Sequence, residues 1–192
     1  ALDVENKRTL NSGVPESIQR DIDALIADGR VDGGIENAVQ GDGVWEVFSA
    51  PHIKRLAAPV GVIFSPLRYV IDQGNIYSHV RHRGIVPDGW LSASGVVVQG
   101  VDMLCQGRMR PSCVIWFDKF WIGASSQTKD EPREFPTENE ASALDVAINK
   151  IGNAGFLDGL ARFPLLFYDE KQGLVIFQFP PLNSNICAMR RN

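Results

Sequence analysis

Hydrophobic positions recur at helical spacing near the start of the chain, alternate through most of its length, return to helical spacing late, and end in alternation. Ile18, Ile22, Leu25 and Ile26 share one face, with Glu16, Arg20, Asp21 and Asp23 on the others. This spacing predicts an amphipathic helix of about four turns. Pro15 suits its first turn and Gly29 its end. Its apolar face predicts a lid packed on a sheet or a barrel end. A membrane-surface helix would carry more Lys or Arg on its polar face. Residues 1–13 are polar and read as an extended N-terminal segment. A glycine-rich connection (Gly33, Gly34, Gly41, Gly43) then leads into the run 43–48, where Trp45 and Val47 point the same way. Trp45 reads as a floor residue whose indole N–H needs a partner once buried.

Strand-like runs follow at 60–65, 67–72, 75–81, 90–99, 103–106 and 113–122, with turn signals at Gln73-Gly74 and Pro87-Asp88-Gly89. The run Ala50-Pro51-His52-Ile53-Lys54-Arg55-Leu56 reads as a turn with about one helical turn in it. Gly95 falls inside a strand pattern and marks a bend or bulge. In 113–122, strict alternation puts Val114, Trp116, Phe120 and Ile122 on one face and Ile115, Phe117 and Trp121 on the other. Neither face is polar enough for water, so both are covered or one meets a cavity or partner. Residues 123–136 read as a long surface loop, and Thr137 with Glu140 has capping-box spacing. Leu144, Ala147, Ile148 and Ile151 form an apolar stripe ended by Gly152, with Phe156, Leu157 and Leu160 facing inward beyond it. A hairpin (165–169 and 174–179, turning at 170–173), a break at Pro180-Pro181-Leu182 and a last strand complete the chain.

About nine closely spaced strands with short turns predict a mainly β fold. The expected form is an antiparallel barrel with an N-terminal amphipathic helix and a late helical insertion at about 137–162, all within one domain, 14–192. A barrel of that size is filled by side chains or holds one small apolar ligand. Inward parity and aromatic character make Trp45, Val47, Tyr69, Tyr77, Trp90 and Phe117 the candidate ligand-lining residues.

Composition narrows the function. A net charge of −4 argues against binding duplex nucleic acid, which needs a basic stripe. No apolar run approaches the roughly 20 residues of a spanning helix. Cys105, Cys113 and Cys187 lack zinc spacing, and their odd number argues against a disulfide scaffold, although one pair remains open. His79 and His82 face opposite sides of a strand and cannot share a metal there. No phosphate loop, nucleophile elbow or paired catalytic carboxylates stand out, so the residues read as those of a non-enzyme. Arg108, Arg110, Arg190 and Arg191 lie at element ends and read as solvated, except that Arg190 on a last strand beside the first can cover Trp45 by a cation–π contact.

Three stretches carry a family resemblance: Gly43-x-Trp45-x-Val-Phe; Pro66-x-x-Tyr69-x-Ile71-x-x-Gly74-x-Ile76; and Leu166-x-Tyr168-Asp169-Glu170 before a glycine-turned strand. Their order, over roughly 15–190, resembles the plastid lipid-associated proteins, or fibrillins. The resemblance implies a lipocalin-like barrel in the plastid, peripheral to the thylakoid membrane or on plastoglobules, with its transit peptide removed. It also implies a bound lipid, quinone or carotenoid and no catalytic residue set. The chain departs from the family after Tyr168, where Lys171-Gln172-Gly173 replaces an aspartate-rich run with a following Arg-Gly, and at Phe179-Pro180-Pro181-Leu182-Asn183. Those departures point to a divergent member and to a second expectation, a structural subunit docked on photosystem or light-harvesting proteins.

Overall fold

The computed structural model describes residues 14–39, 41–57, 59, 61–84, 88–124, 132–137, 139–155 and 161–191. The N-terminal segment 1–13, Pro87, and the apolar trio Phe156, Leu157 and Leu160 lie outside them. The first helix, α1, spans Glu16–Asp28 and ends at Gly29, whose left-handed φ of 67° lets its N–H reach the Leu25 carbonyl. A second helix, α2 (Gly34–Val39), occupies the stretch that reads in sequence as a glycine-rich connection. Then come β1 (Gly43–Ser49), α3 (Pro51–Ala57), β2 (Ile63–Asp72), β3 (Asn75–Arg83) and β4 (Gly89–Gln99). A small hairpin, β5 (Met103–Cys105) and β6 (Arg108–Arg110), precedes the long β7 (Ser112–Ala124). Helix α4 (Ala143–Gly155) leads to β8 (Arg162–Asp169), β9 (Leu174–Phe179), one 3-10 turn (Pro180–Leu182) and β10 (Ser184–Arg190).

Eight strands close an antiparallel barrel in the order β1-β10-β9-β8-β7-β4-β3-β2, while β5 and β6 pair only with each other. The fold is therefore mainly β, a closed barrel with an N-terminal helix and a later one, as the alternation predicts. Cross-strand partners share a face, so the inner surface can be followed from the register. Trp45 lies between Tyr69 and Arg190, and Val47 lies between Leu67 and Ala188. The outer face of β8, β9 and β10 carries Leu166, Phe167, Leu174, Ile176 and Cys187, which α1 covers with Ile22 and Ile26. Arg110 is not solvated as its sequence position suggests. Its buried guanidinium donates to the carbonyls of Ile26 and Leu166, tying the end of α1 to β8.

Two local features depart from the simple pattern. In β7 the register shifts opposite Ser94 and Gly95, leaving Asp118 as an extra residue. Parity therefore flips: Ile115, Phe117, Phe120 and Ile122 face one way, and Trp116 and Trp121 the other. This corrects the face assignment that strict alternation gives. The bulge occurs where a Cβ on Gly95 would stand 1.8 Å from the Trp116 carbonyl oxygen, so only glycine fits.

The second departure is α4. The Thr137–Glu140 box forms, with the Thr137 hydroxyl donating to Glu140, but the helix begins after a second box in which Ser142 and Asp145 bond reciprocally. Strand β8 pairs with β7 only at 112–114, which leaves the rest of the β7 edge to α4. Asp145 accepts the Ile122 N–H at 3.1 Å, and Asn149 accepts the Phe120 N–H at 2.9 Å. Gly152 sits against the Phe120 ring, where a Cβ would come within 2.3 Å. The polar side of the helix thus faces the sheet, and the expected apolar stripe turns outward. Leu144 is 50% exposed and Ile151 68%, Ala147 is exposed, and Ile148 is half-buried. Unsatisfied strand amides cost more than apolar side chains left in water, which decides the orientation.

Candidate barrel-lumen site

One end of the lumen is built around Trp45. Its ring is 2% exposed, and its indole N–H donates to the Gly41 carbonyl at 2.8 Å. The Arg190 guanidinium lies 5.2 Å above the ring, the contact expected from the pairing of first and last strands. Tyr168 stands beside it, with ring centroids 6.4 Å apart. Helix α2 inserts Ile35 and Val39 over this end. Between α2 and the strands lies a cavity of about 60 Å³, lined by Trp45, Tyr69, Ile71, Ile76, Phe177 and other apolar side chains. Burial pushes the Tyr69 hydroxyl well above its ordinary pKa, so it stays protonated. Small-molecule sites begin near ~300 Å³, so this closed end has no room for a whole lipid, quinone or carotenoid.

The opposite end lies where β1 and β3 finish and β2 and β4 begin, beside α3. His52 of α3 is buried and shares a hydrogen bond with the Ser184 hydroxyl at 3.1 Å, and its ring lies 5.1 Å from Phe179. Burial, reinforced by the Arg55 charge, brings its pKa down to about 4, so it is neutral near pH 7. His82 points inward at the same end, 3% exposed.

Four of the six candidate lining residues belong to the inner face. Trp45 and Tyr69 line the cavity, Val47 is in the core beneath it, and Phe117 packs on that core. The register puts Tyr77 and Trp90 on the outer face instead. Tyr77 pairs with Val70 and Ser94, and Trp90 pairs with Arg81 and Gly123. There they join a row of aromatic and cationic groups. The Arg68 guanidinium lies 5.6 Å over Trp90, and Tyr77 stacks on His79 at 6.4 Å. His79 shares a hydrogen bond with Ser92 at 2.9 Å, and burial with the Arg68 charge lowers its pKa to about 4.

A larger hollow, about 400 Å³, lies on the surface among Arg30, Asp32, Asp169 and Glu170. Arg30 pairs there with Asp169 at 2.7 Å and with Asp32 at 3.7 Å, and the hollow reads as solvated surface. Among the described residues no three His, Cys, Asp or Glu side chains gather as a metal site would require. Cys105, Cys113 and Cys187 are free and buried, and burial pushes the Cys113 and Cys187 thiols up to about 12. No protein-family model matches the chain, and neither does any curated protein or solved structure.

Proposed function

We propose that this chain is a non-catalytic, lipid-associated barrel of the fibrillin kind, which holds one apolar small molecule against its inner wall. A lipid, a quinone or a carotenoid fits that description, and the setting we infer is the plastid, peripheral to the thylakoid. The observation that supports this most is an inner face apolar and aromatic around the barrel, its ends closed by the short helices α2 and α3 rather than by strands. Because only about 60 Å³ is empty beneath α2, occupancy needs α2 or α3 to move aside.

A second reading is a docking subunit of a pigment–protein complex. It is favoured by exposed apolar side chains on the outside of β4 and β7 (Val96, Val98, Trp116), on the β5–β6 hairpin (Leu104, Met109) and on α4. Native isolation from membranes, with mass spectrometry of co-purifying proteins and extracted small molecules, tests both. Near-stoichiometric lipid, quinone or carotenoid without a protein partner supports the carrier. Stable photosynthetic subunits and no released small molecule would overturn it in favour of the docking role.

A further inference from the structure

Strands β2, β3, β4 and β7 run past the start of β8, and their inward residues line the α3 end of the lumen. One row across this wall is Leu67, Val80, Leu91 and Ile122. The next row towards the mouth contains His82, between Phe64 and Gly89. Val80, Leu91, Phe120 and Ile122 point inward here and are half-buried, with the Phe120 ring against Gly152 of α4. At the α2 end Trp45, Ile76 and Leu165 are buried, Tyr69 and Ile71 half-buried.

His82 is a polar group set in the largely apolar surround of the α3 end. It is 3% exposed, and neither ring nitrogen has a hydrogen-bond partner among the described residues. A buried imidazole left this way is costly, and a group that arrives with a donor or acceptor removes the cost. We propose that the lumen takes its ligand at the α3 end, and that His82 selects it through a hydrogen bond to a neutral hydroxyl or carbonyl head on an otherwise apolar molecule. The proposal rests on the lumen-binding reading above and adds the entry and the head group to it.

Charge decides against an anionic head. Burial lowers the His82 pKa against the opposing influence of Asp88, so the ring offers one N–H and one lone pair rather than a positive charge. Arg81, its neighbour on β3, has the opposite parity and points outward, as do Arg68 and His79. Asp88 is exposed and makes no ion pair with the ring. Arg83 shares the outward parity of Arg81, and Arg55 of α3 is exposed, so a carboxylate at His82 would enter an apolar wall with the nearest cations on the outside.

The test titrates the purified full chain with all-trans-retinol, all-trans-retinoate and the same polyene bearing a methyl in place of the head group, reading fluorescence. Retinol is expected to bind roughly tenfold tighter than the headless polyene, as a buried hydrogen bond provides. Retinoate is expected to bind no better than the headless polyene. His82→Phe should make retinol and the headless polyene indistinguishable. Equal binding of the two by the native protein, or a preference that survives in His82→Phe, overturns the role of His82 while leaving lumen binding intact. Failure of all three probes overturns the lumen reading as well. If His82→Phe does not fold, 15N spectra of the native protein decide. The His82 ring nitrogens should shift with retinol and not with the headless polyene, and no shift with bound retinol overturns the proposal.

Discussion

A single atom position at Gly95 governs how β7 faces the core. The Cβ of any other residue would meet the Trp116 carbonyl at 1.8 Å, so the backbone there cannot yield without undoing the bulge. Gly95→Ala is expected to destabilise the protein by about 3 kcal/mol, checked by urea unfolding. Sequence alone flagged Gly95 as a bulge but placed no extra residue in the partner strand. Asp118 is that residue, and it reversed the predicted faces of Phe120, Trp121 and Ile122. The same limit governed the site residues. Trp45 and Tyr69 were legible because Trp45 opens the strand beside the last one, where Arg190 covers it. Tyr77 and Trp90 were aromatic and in strands, but only the register tells inside from outside. His82 was visible as a histidine at the wrong spacing for a metal. Its lack of partners is a property of packing that no local pattern reports.

At the scale of elements, α4 substitutes for a strand. Its Asp145 carboxylate accepts the Ile122 N–H and the Arg133 guanidinium together, and Arg133 also donates to the Ile122 carbonyl. Burial works to raise the Asp145 pKa, but Arg133, Ser142 and the amides of Ser142 and Ile122 outweigh it and hold it at about 2. Asp145→Ala should cost about 3 kcal/mol, because it takes the carboxylate from Arg133 and leaves a strand amide unpaired. Hydrogen exchange of the Ile122 amide should accelerate in that variant and stay unchanged in Leu144→Ser on the exposed side. The stripe of Leu144, Ala147 and Ile151 was legible as a helix and misleading as to its buried face. Periodicity records which side is apolar, whereas the orientation was settled by amides β8 does not reach. Helix α2 was hidden for a different reason. Gly33 and Gly34 read as chain breakers, and the helix holds because Ile35 and Val39 are buried at the mouth of the barrel.

For the whole molecule, histidines that lose water on folding oppose acid, the buried His52 and the half-buried His79 most of all. His52 and His79 have folded pKa values of about 4 against 6.5 unperturbed. The unfolded chain therefore takes up protons that the folded chain refuses, and their contribution is complete above 6.5 and lost as the pH falls towards 4. Thermal unfolding followed from pH 7 to pH 4 should show Tm falling through that interval. His79→Gln should make the fall shallower, and Asp145 adds its loss only below its unfolded value near pH 4. The closure of the barrel carries a consequence for how the chain is made. Strand β1 finds one of its two neighbours in β2 close by, but the other is β10, and the Arg191–Glu46 ion pair joins positions 145 apart. During synthesis β1 waits with a bare edge until almost the whole barrel has been translated. Contacts this distant in sequence belong to the slow-folding class. Two nascent chains that meet in that interval can each complete the other's barrel, which makes crowded translation the moment of greatest risk for strand exchange.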